Sequence, residues 1–137
     1  MFVLDASLTL AWAFNEEETE SAKAALAQVL DHVVMAPSVW PLEIANAVVV
    51  ATRHGRFVES EVPDFIAMIS GLDVEVDERA HLAAFDDILR LAQEHGLSSY
   101  DAAYLELALR LDAPLATLDA GLARAARGAG VELFLRD

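Results

Sequence analysis

The sequence predicts a three-layer α/β/α domain whose central sheet has four or five mostly parallel strands. Short apolar segments alternate along the chain with longer segments in which apolar residues recur at helical spacing. The strand-like segments at 2–5, 33–36 and 115–118 are largely apolar, which is typical of strands covered by helices on both faces. Because the chain has 137 residues and no repeat, low-complexity tract or long linker, we expect a single domain over 1–137.

The first half of the chain alternates strands and helices from its start. The predicted elements, in order, are a strand at 2–5, a helix at 8–14, a helix at 19–30, a strand at 33–36 and a helix at 41–54. Pro37 stops the second strand, and Gly55 ends the last helix. The three consecutive glutamates at 16–18 indicate an acidic loop or a solvated helix start rather than a site.

The second half continues the alternation with weaker strands. Its predicted elements are a helix at 60–70, a strand at 73–76, a helix at 80–95, a helix at 99–111, a strand at 115–118, a helix at 121–127 and a strand at 131–133. The helix at 80–95 has the clearest apolar face, formed by Phe85, Ile88, Leu89 and Ala92. Glu106 and Arg110 have the spacing of an exposed i,i+4 ion pair on the next helix.

Composition limits the compartment. The chain is 55% hydrophobic, yet no run approaches the ~18 consecutive apolar residues of a membrane span. The N-terminus lacks a basic region, so we expect no secretory signal. Without cysteine, disulfides and thiolate metal sites are excluded. We therefore expect a cytoplasmic protein.

The charge balance indicates the kind of partner. Nine Lys and Arg residues against 23 Asp and Glu residues give a net charge of −14, the opposite of the usual nucleic-acid-binding surface. The natural partner of such a chain is a basic protein segment. An acidic chain can still bind RNA where metal ions offset its field.

Four carboxylates stand where a strand ends or a helix begins: Asp5, Glu43, Asp101 and Asp119. In a parallel α/β fold such positions converge at the carboxyl ends of the strands, where ligands bind. Four clustered carboxylates repel one another unless a cation lies among them. The constellation therefore predicts a divalent-metal site and metal-assisted phosphodiester hydrolysis.

Each acid taken singly also fits a structural role. Asp5 and Asp119 could cap the helices that follow them, and Glu43 could lie in a first helical turn after Pro41. Asp101 is the fourth residue of a capping-box pattern that starts at Ser98. The four junctions together favour a site over four independent caps.

The helix that carries Glu43 has a second unusual feature. Residues 44–51 are apolar all round except at Asn46, and such a helix is buried on more than one side. This predicts either core burial or an interface with another chain, centred near Val48 or Val49. Asn46 lies three residues after Glu43 on the same face, where it could orient that carboxylate or bond to backbone nearby.

Other α/β chemistries are excluded by missing residues. A phosphatase with an aspartyl nucleophile needs a second acid after the first strand, which Asp5-Ala6-Ser7 lacks. A phosphoacceptor receiver needs a late lysine, and the only lysine is Lys23. The segment Gly128-Ala129-Gly130 lacks the third glycine of a dinucleotide-binding loop.

The amino-acid sequence around the four acids resembles that of the PIN-domain ribonucleases, above all the VapC-type toxins of toxin–antitoxin pairs. The segments that carry the resemblance are Val3-Leu4-Asp5-Ala6-Ser7, Glu43-Ile44-Ala45-Asn46, Ser98-Ser99-Tyr100-Asp101-Ala102-Ala103-Tyr104 and Ala116-Thr117-Leu118-Asp119. They span essentially the whole chain in family order. The low content of basic residues is the feature that fits an RNA-cutting family least.

The resemblance implies a function and a role for each site residue. Asp5, Glu43, Asp101 and Asp119 would be the catalytic acids, with Asp5, Asp101 and Asp119 binding Mg²⁺ or Mn²⁺. The hydroxyl groups of Ser7 and Thr117 would support the site, as Asn46 could. Members of this family cleave RNA endonucleolytically, commonly form homodimers and are inhibited by an antitoxin that inserts a basic or aromatic side chain towards the acids.

Two other hypotheses belong to different classes. The first is a catalytically inactive PIN-like binding module whose acidic pocket captures a basic peptide. The second is an acidic interaction protein without any site, in which the junction positions of the four acids are accidental. Only the nuclease hypothesis predicts Mn²⁺-dependent RNA cleavage, and the last predicts no specific metal binding.

Overall fold

The computed structural model describes residues 1–14, 20–29 and 31–134. The predicted acidic segment at 16–18 lies outside these ranges. Within them, no helix combines the length and the apolar character needed to cross a bilayer.

A sheet of four parallel strands forms the centre of the molecule, as the fold class predicts. Its strands are β1 Phe2–Leu4, β2 Val34–Pro37, β3 Glu75–Asp77 and β4 Leu115–Ala116, in the order β3-β2-β1-β4. Val3 lies opposite Met35 on one side and Leu115 on the other. The predicted fifth strand at 131–133 contributes only a single bridge, between Leu133 and Leu115, so among the described residues the sheet has four strands.

Helices connect the strands and cover the sheet. They are α1 Ala6–Ala11, α2 Glu20–Val29, α3 Val39–Arg53, α4 Val62–Ser70, α5 Ala80–Ala83, α6 Leu89–His95, α7 Ser99–Leu111 and α8 Ala120–Gly128, with a 3₁₀ turn at Glu59–Glu61 and a π turn at Ala84–Ile88. Successive side chains of a strand point to opposite faces, and Phe2, Val3 and Leu4 are all fully buried. Both faces of the sheet are therefore covered at β1, β2 and β4, as the apolar strand pattern predicts, whereas the edge strand β3 is partly exposed.

Strand β1 and helix α7 occupy the middle of the core. Residues 102–108 of α7 are buried without interruption, and the helix packs against β1 and β2. A helix with apolar residues on all sides must be covered on all sides. Helix α7 therefore brings its first turn, with Asp101, to a fixed place beside the carboxyl end of β1.

The helix predicted at 80–95 is not continuous. The π turn at Ala84–Ile88 interrupts it, and the extra residue rotates the preceding face by roughly 100° relative to the following one. Ile88 and Ala92 are buried as predicted, but Phe85 is 94% exposed and Leu89 is 44% exposed. An unbroken 3.6-residue period would have placed all four on the core face.

The predicted ion pair between Glu106 and Arg110 forms, but it is not exposed at its acidic end. Glu106 is 6% exposed, and Arg110 Nε donates to its Oε1 at 2.8 Å. The same guanidinium donates to both carboxylate oxygens of Asp77 at 3.0 Å each, which lowers the pKa of Asp77. Arg110 therefore ties α7 to the end of β3.

Strand β3 starts two residues later than predicted because Asp73 has a φ of 55°, which a strand cannot accommodate.

Candidate functional site

A pocket of about 300 Å³ opens beyond the carboxyl end of β1. Its lining comprises the four predicted acids together with Ala6, Ser7, Leu10, Asn46 and Ala47. The acids reach it from separate elements, since Asp5 follows β1, Glu43 lies on α3, Asp101 on α7 and Asp119 follows β4. The structure thus brings together side chains that lie far apart in the sequence.

Asp5 is the most deeply buried of the acids, at 3% exposure. It occupies the N-cap position of α1, but its side chain makes no capping hydrogen bond. Instead, Ser7 Oγ and Thr117 Oγ1 donate to the same oxygen, Asp5 Oδ2, at 2.6 and 2.5 Å. Burial raises the pKa of Asp5, and these hydrogen bonds oppose the rise because they favour the carboxylate. The main partners of the Asp5 carboxylate are therefore these two hydroxyl groups rather than the backbone N–H groups that a helix cap would satisfy.

The two hydroxyl groups also connect Asp5 to the loop that carries Asp119. Ser7 Oγ accepts from the backbone N–H of Leu118 at 3.0 Å, and Thr117 Oγ1 accepts from that of Asp119 at the same distance. Each hydroxyl donates to the carboxylate and accepts from the loop. The predicted supporting positions of Ser7 and Thr117 thus join β1 to the start of α8.

Asp119 does act as a helix cap, as the structural alternative predicts. Its Oδ1 accepts from the backbone N–H of Leu122 at 2.8 Å, which satisfies a free donor in the first turn of α8. The hydrogen bond also fixes the direction of this carboxylate beside the pocket. Capping and pocket lining are therefore compatible for Asp119.

Glu43 lies deeper in its helix than the sequence predicts. Helix α3 begins at Val39, two residues before Pro41, so its first turn contains no acid and the helix-dipole explanation for Glu43 is wrong. Glu43 Oε1 accepts from the hydroxyl of Tyr104 at 2.7 Å. Burial raises the pKa of Glu43, the Tyr104 hydrogen bond lowers it, and the charges of Asp5 and Asp101 raise it further.

Tyr104 does not line the pocket itself, but its contact with Glu43 was not predicted from the sequence. Its signal was the spacing of three residues from Asp101, which places both side chains on one face of α7. Asn46, by contrast, lines the pocket, but in the described part of the chain it makes no side-chain hydrogen bond. The orienting partner of Glu43 is thus Tyr104 rather than the predicted Asn46.

Asp101 is the third residue of α7. Its backbone N–H donates to Ser98 Oγ at 3.1 Å, so the N-terminal half of the predicted capping box forms. Burial, followed by the charges of Asp5 and Asp119, raises the pKa of Asp101 from 3.8 to about 6. A carboxyl group with such a pKa is only partly ionised just below neutral pH.

The chemistry of the pocket suits a hard cation. Its lining contains carboxylate, hydroxyl and amide oxygens and no lysine, arginine or histidine. Across the described ranges, however, no three His, Cys, Asp or Glu side chains are close enough together to enclose an ion. The donor set fits Mg²⁺ or Mn²⁺, because these ions prefer oxygen ligands and retain water molecules. Burial is the main cause of the raised pKa values of Glu43 and Asp101, and a cation would also offset the smaller contribution from neighbouring carboxylates.

The raised pKa of Asp101 predicts how stability depends on pH without metal. The folded pKa of about 6 lies above the ordinary value of 3.8, so the folded state binds the proton more tightly and stability falls as pH rises through this window. We expect the parent chain in EDTA to melt at a higher temperature at pH 5.5 than at pH 7.5. The difference should be smaller in Asp101→Asn, measured by thermal denaturation in parallel. Equal pH dependence in both proteins would contradict the prediction.

Comparisons with known proteins agree with this architecture. The family model described as PIN domain matches residues 2–128. The chain is 30% identical over 121 residues to Ribonuclease VapC3 of Pyrobaculum aerophilum. The aligned region covers 88% of this chain and 91% of that protein.

Solved structures share the fold at lower identity. PAE2754 from Pyrobaculum aerophilum has a TM-score of 0.67 at 23% identity, over 90% of this chain and 83% of that one. A toxin–antitoxin complex from Klebsiella pneumoniae has a TM-score of 0.59 at 16% identity, over 93% and 92% of the two chains. FitAcB from Neisseria gonorrhoeae has a TM-score of 0.58 at 22% identity, over 98% and 96%.

Proposed function

This chain belongs to the PIN-domain family, and on that premise we propose that it is the toxin of a type II toxin–antitoxin pair. Its activity would be divalent-metal-dependent endonucleolytic cleavage of RNA, inhibited by a cognate antitoxin. The observation that carries the proposal is the single pocket lined by Asp5, Glu43, Asp101 and Asp119 without a basic side chain. The likeness to a protein named as a ribonuclease and the fold shared with a toxin–antitoxin complex support it.

The four acids would have two different roles, metal binding and orientation of the attacking water. Asp5, Asp101 and Asp119 would hold Mg²⁺ or Mn²⁺, and Glu43 would complete the site or orient the attacking water. Such an ion supplies a more acidic bound water and offsets negative charge on the scissile phosphate. The pocket lining contains no cationic side chain that could bind the RNA phosphate. A bound metal would therefore be needed to offset the repulsion between the phosphate and the carboxylates.

The remaining residues would keep the acids in place before substrate arrives. Two hydroxyl donors fix Asp5 Oδ2, and the Leu122 N–H fixes Asp119 Oδ1. Side chains held by such bonds need no reorganisation during the reaction. The same hydrogen bonds favour the ionised form of Asp5 against the effect of its burial.

The expected partners follow from charge and from exposed apolar surface. A net charge of −14 and a pocket without cations favour an antitoxin with a basic segment. In helix α3, Ile44 and Val48 are buried in the chain's own core, whereas Val49 and Val50 are 45% and 44% exposed. We propose that this exposed side of α3 contacts the antitoxin or a second copy of the chain in a homodimer. We also propose that the protein acts in the cytoplasm.

A second candidate is a PIN-like binding module whose acidic pocket captures a basic peptide without cleaving RNA. The observation in its favour is that the carboxylates do not stand close enough, in the described ranges, to enclose an ion. Such a module would bind a lysine- or arginine-rich peptide whether or not Mg²⁺ or Mn²⁺ is present.

The deciding experiment is cleavage of a labelled RNA by the purified chain. We expect internal cuts with Mn²⁺ or Mg²⁺ and none with EDTA, because the proposed reaction needs the ion. Asp101→Asn purified in the same way controls for contaminating nucleases. If the parent cuts equally well in EDTA, the proposed metal dependence is wrong. If it binds a basic peptide but never cuts RNA with either ion, the nuclease proposal is wrong.

A further inference from the structure

Tyr104 occupies an unusual place for a tyrosine. Its side chain is fully buried at 0% exposure in the middle of α7, yet its hydroxyl reaches the edge of the acidic pocket and donates to Glu43 Oε1 at 2.7 Å. A buried hydroxyl is costly unless it finds a partner. Phenylalanine would fill the same core volume without that requirement. Packing alone therefore does not explain the hydroxyl.

Glu43 has a physical need for such a donor. The charges of Asp5 and Asp101 act on its carboxylate, and like charges push a flexible side chain away from the pocket. In the part of the chain that the structure describes, the hydrogen bond from Tyr104 is the one that its carboxylate accepts. A donor fixed in the core offsets the repulsion and restricts the rotamers of a long side chain.

Helix α3 is anchored nearby by a second buried donor. Trp40 lies one turn before Glu43, and its Nε1 donates to Thr9 Oγ1 at 3.0 Å. Thr9 Oγ1 in turn donates to the backbone carbonyl of Asp5 at 3.2 Å. The backbone of α3 is thus tied to the end of β1 independently of Tyr104. Loss of the Tyr104 hydroxyl should therefore let the Glu43 side chain move while helix α3 keeps its position.

We propose that Tyr104 is a positioning residue for Glu43, holding its carboxylate in the acidic pocket by a hydrogen bond from the core of α7. This inference rests on the proposed nuclease function for its effect on catalysis. The hydrogen bond itself does not depend on that function. Helix α7 then serves the pocket twice, directly through Asp101 and indirectly through Tyr104.

The first test measures catalysis. Tyr104→Phe should lower kcat for Mn²⁺-dependent RNA cleavage roughly 10- to 100-fold, with little change in KM, because a misplaced Glu43 affects the reaction more than RNA binding. Tyr100→Phe is the matched control, since it removes the same hydroxyl from a side chain that is 61% exposed on the same helix. An unchanged kcat in Tyr104→Phe, or an equal loss in both variants, overturns the inference.

The second test is independent of nuclease activity. Thermal unfolding in EDTA is measured for the parent, Tyr104→Phe, Glu43→Ala and the double variant. Tyr104→Phe should lower Tm by several degrees in the parent and should not lower it in the Glu43→Ala background, because the acceptor is already absent. Equal Tm losses in the two backgrounds overturn the inference. If this coupling is present while the parent cuts no RNA, the proposed function fails and the positioning role stands.

Discussion

Asp101→Asn is expected to abolish metal-dependent RNA cleavage, lowering it at least about a hundredfold, while the fold stays intact. Asparagine keeps the backbone N–H that donates to Ser98 but removes a negatively charged oxygen ligand. In the metal-free protein the variant should melt at a higher temperature than the parent at pH 7.5. The reason is that Asp5 and Asp119 no longer repel a charge at this position.

Metal response separates this explanation from helix capping. Mn²⁺ should raise the Tm of the parent more than that of Asp101→Asn, because an ion that binds only the folded state stabilises it by mass action. Asp86→Asn, which removes an exposed carboxylate outside the pocket, is the matched control and should respond to Mn²⁺ like the parent. If Asp101→Asn instead loses about 0.5–2 kcal/mol regardless of metal, its role is that of a cap. Full nuclease activity in the variant would also refute the assignment.

Val49→Asp is expected to weaken assembly by about 3 kcal/mol, or roughly a hundredfold in Kd, if the exposed side of α3 is an interface. The substitution puts an unpaired charge where another chain would bury an apolar side chain. In the isolated chain Val49 is 45% exposed, so the monomer should tolerate the charge. Sedimentation measures self-association, and pull-down measures binding of the proposed antitoxin.

Val33→Asp provides the control for this substitution. Val33 is 52% exposed and precedes β2, at the end of the sheet opposite the acidic pocket. It should leave both self-association and antitoxin binding unchanged. Unchanged assembly and unchanged antitoxin binding in Val49→Asp itself would show that this side of α3 faces solvent in every complex.

Hydrophobic patterning predicted most of the fold because it is a local property. Apolar runs at 2–5 and 33–36 became β1 and β2, and the helical spacing at 99–111 became α7 with the predicted bounds. The pattern failed at 80–95 because a π turn changes the period inside the window that defines the face. Phe85 is exposed as a consequence.

The positions of the four acids were also visible in the sequence, since each stands at a junction of predicted elements. Their catalytic and metal-binding roles remain predictions. The sequence left a local structural role open for each of them, either as a helix cap or, for Glu43, in a first helical turn, and only the structure separated the cases. Asp5 makes no side-chain capping hydrogen bond and Glu43 lies beyond the first turn of α3, whereas Asp119 caps α8. Local spacing cannot make that distinction because it does not say which hydrogen-bond donors surround a carboxylate.

The sequence by itself determined the parallel α/β architecture, the acidic surface and the chain order of the site carboxylates, because these depend on periodicity and composition. The tertiary structure alone decided which side chains hold those carboxylates. Thr117 donates to Asp5 across 112 residues, and Tyr104 donates to Glu43 across 61. Burial of Glu106 beside Arg110 was decided in the same way. Such contacts form only when packed elements bring distant residues within about 3 Å, and no local pattern encodes that distance.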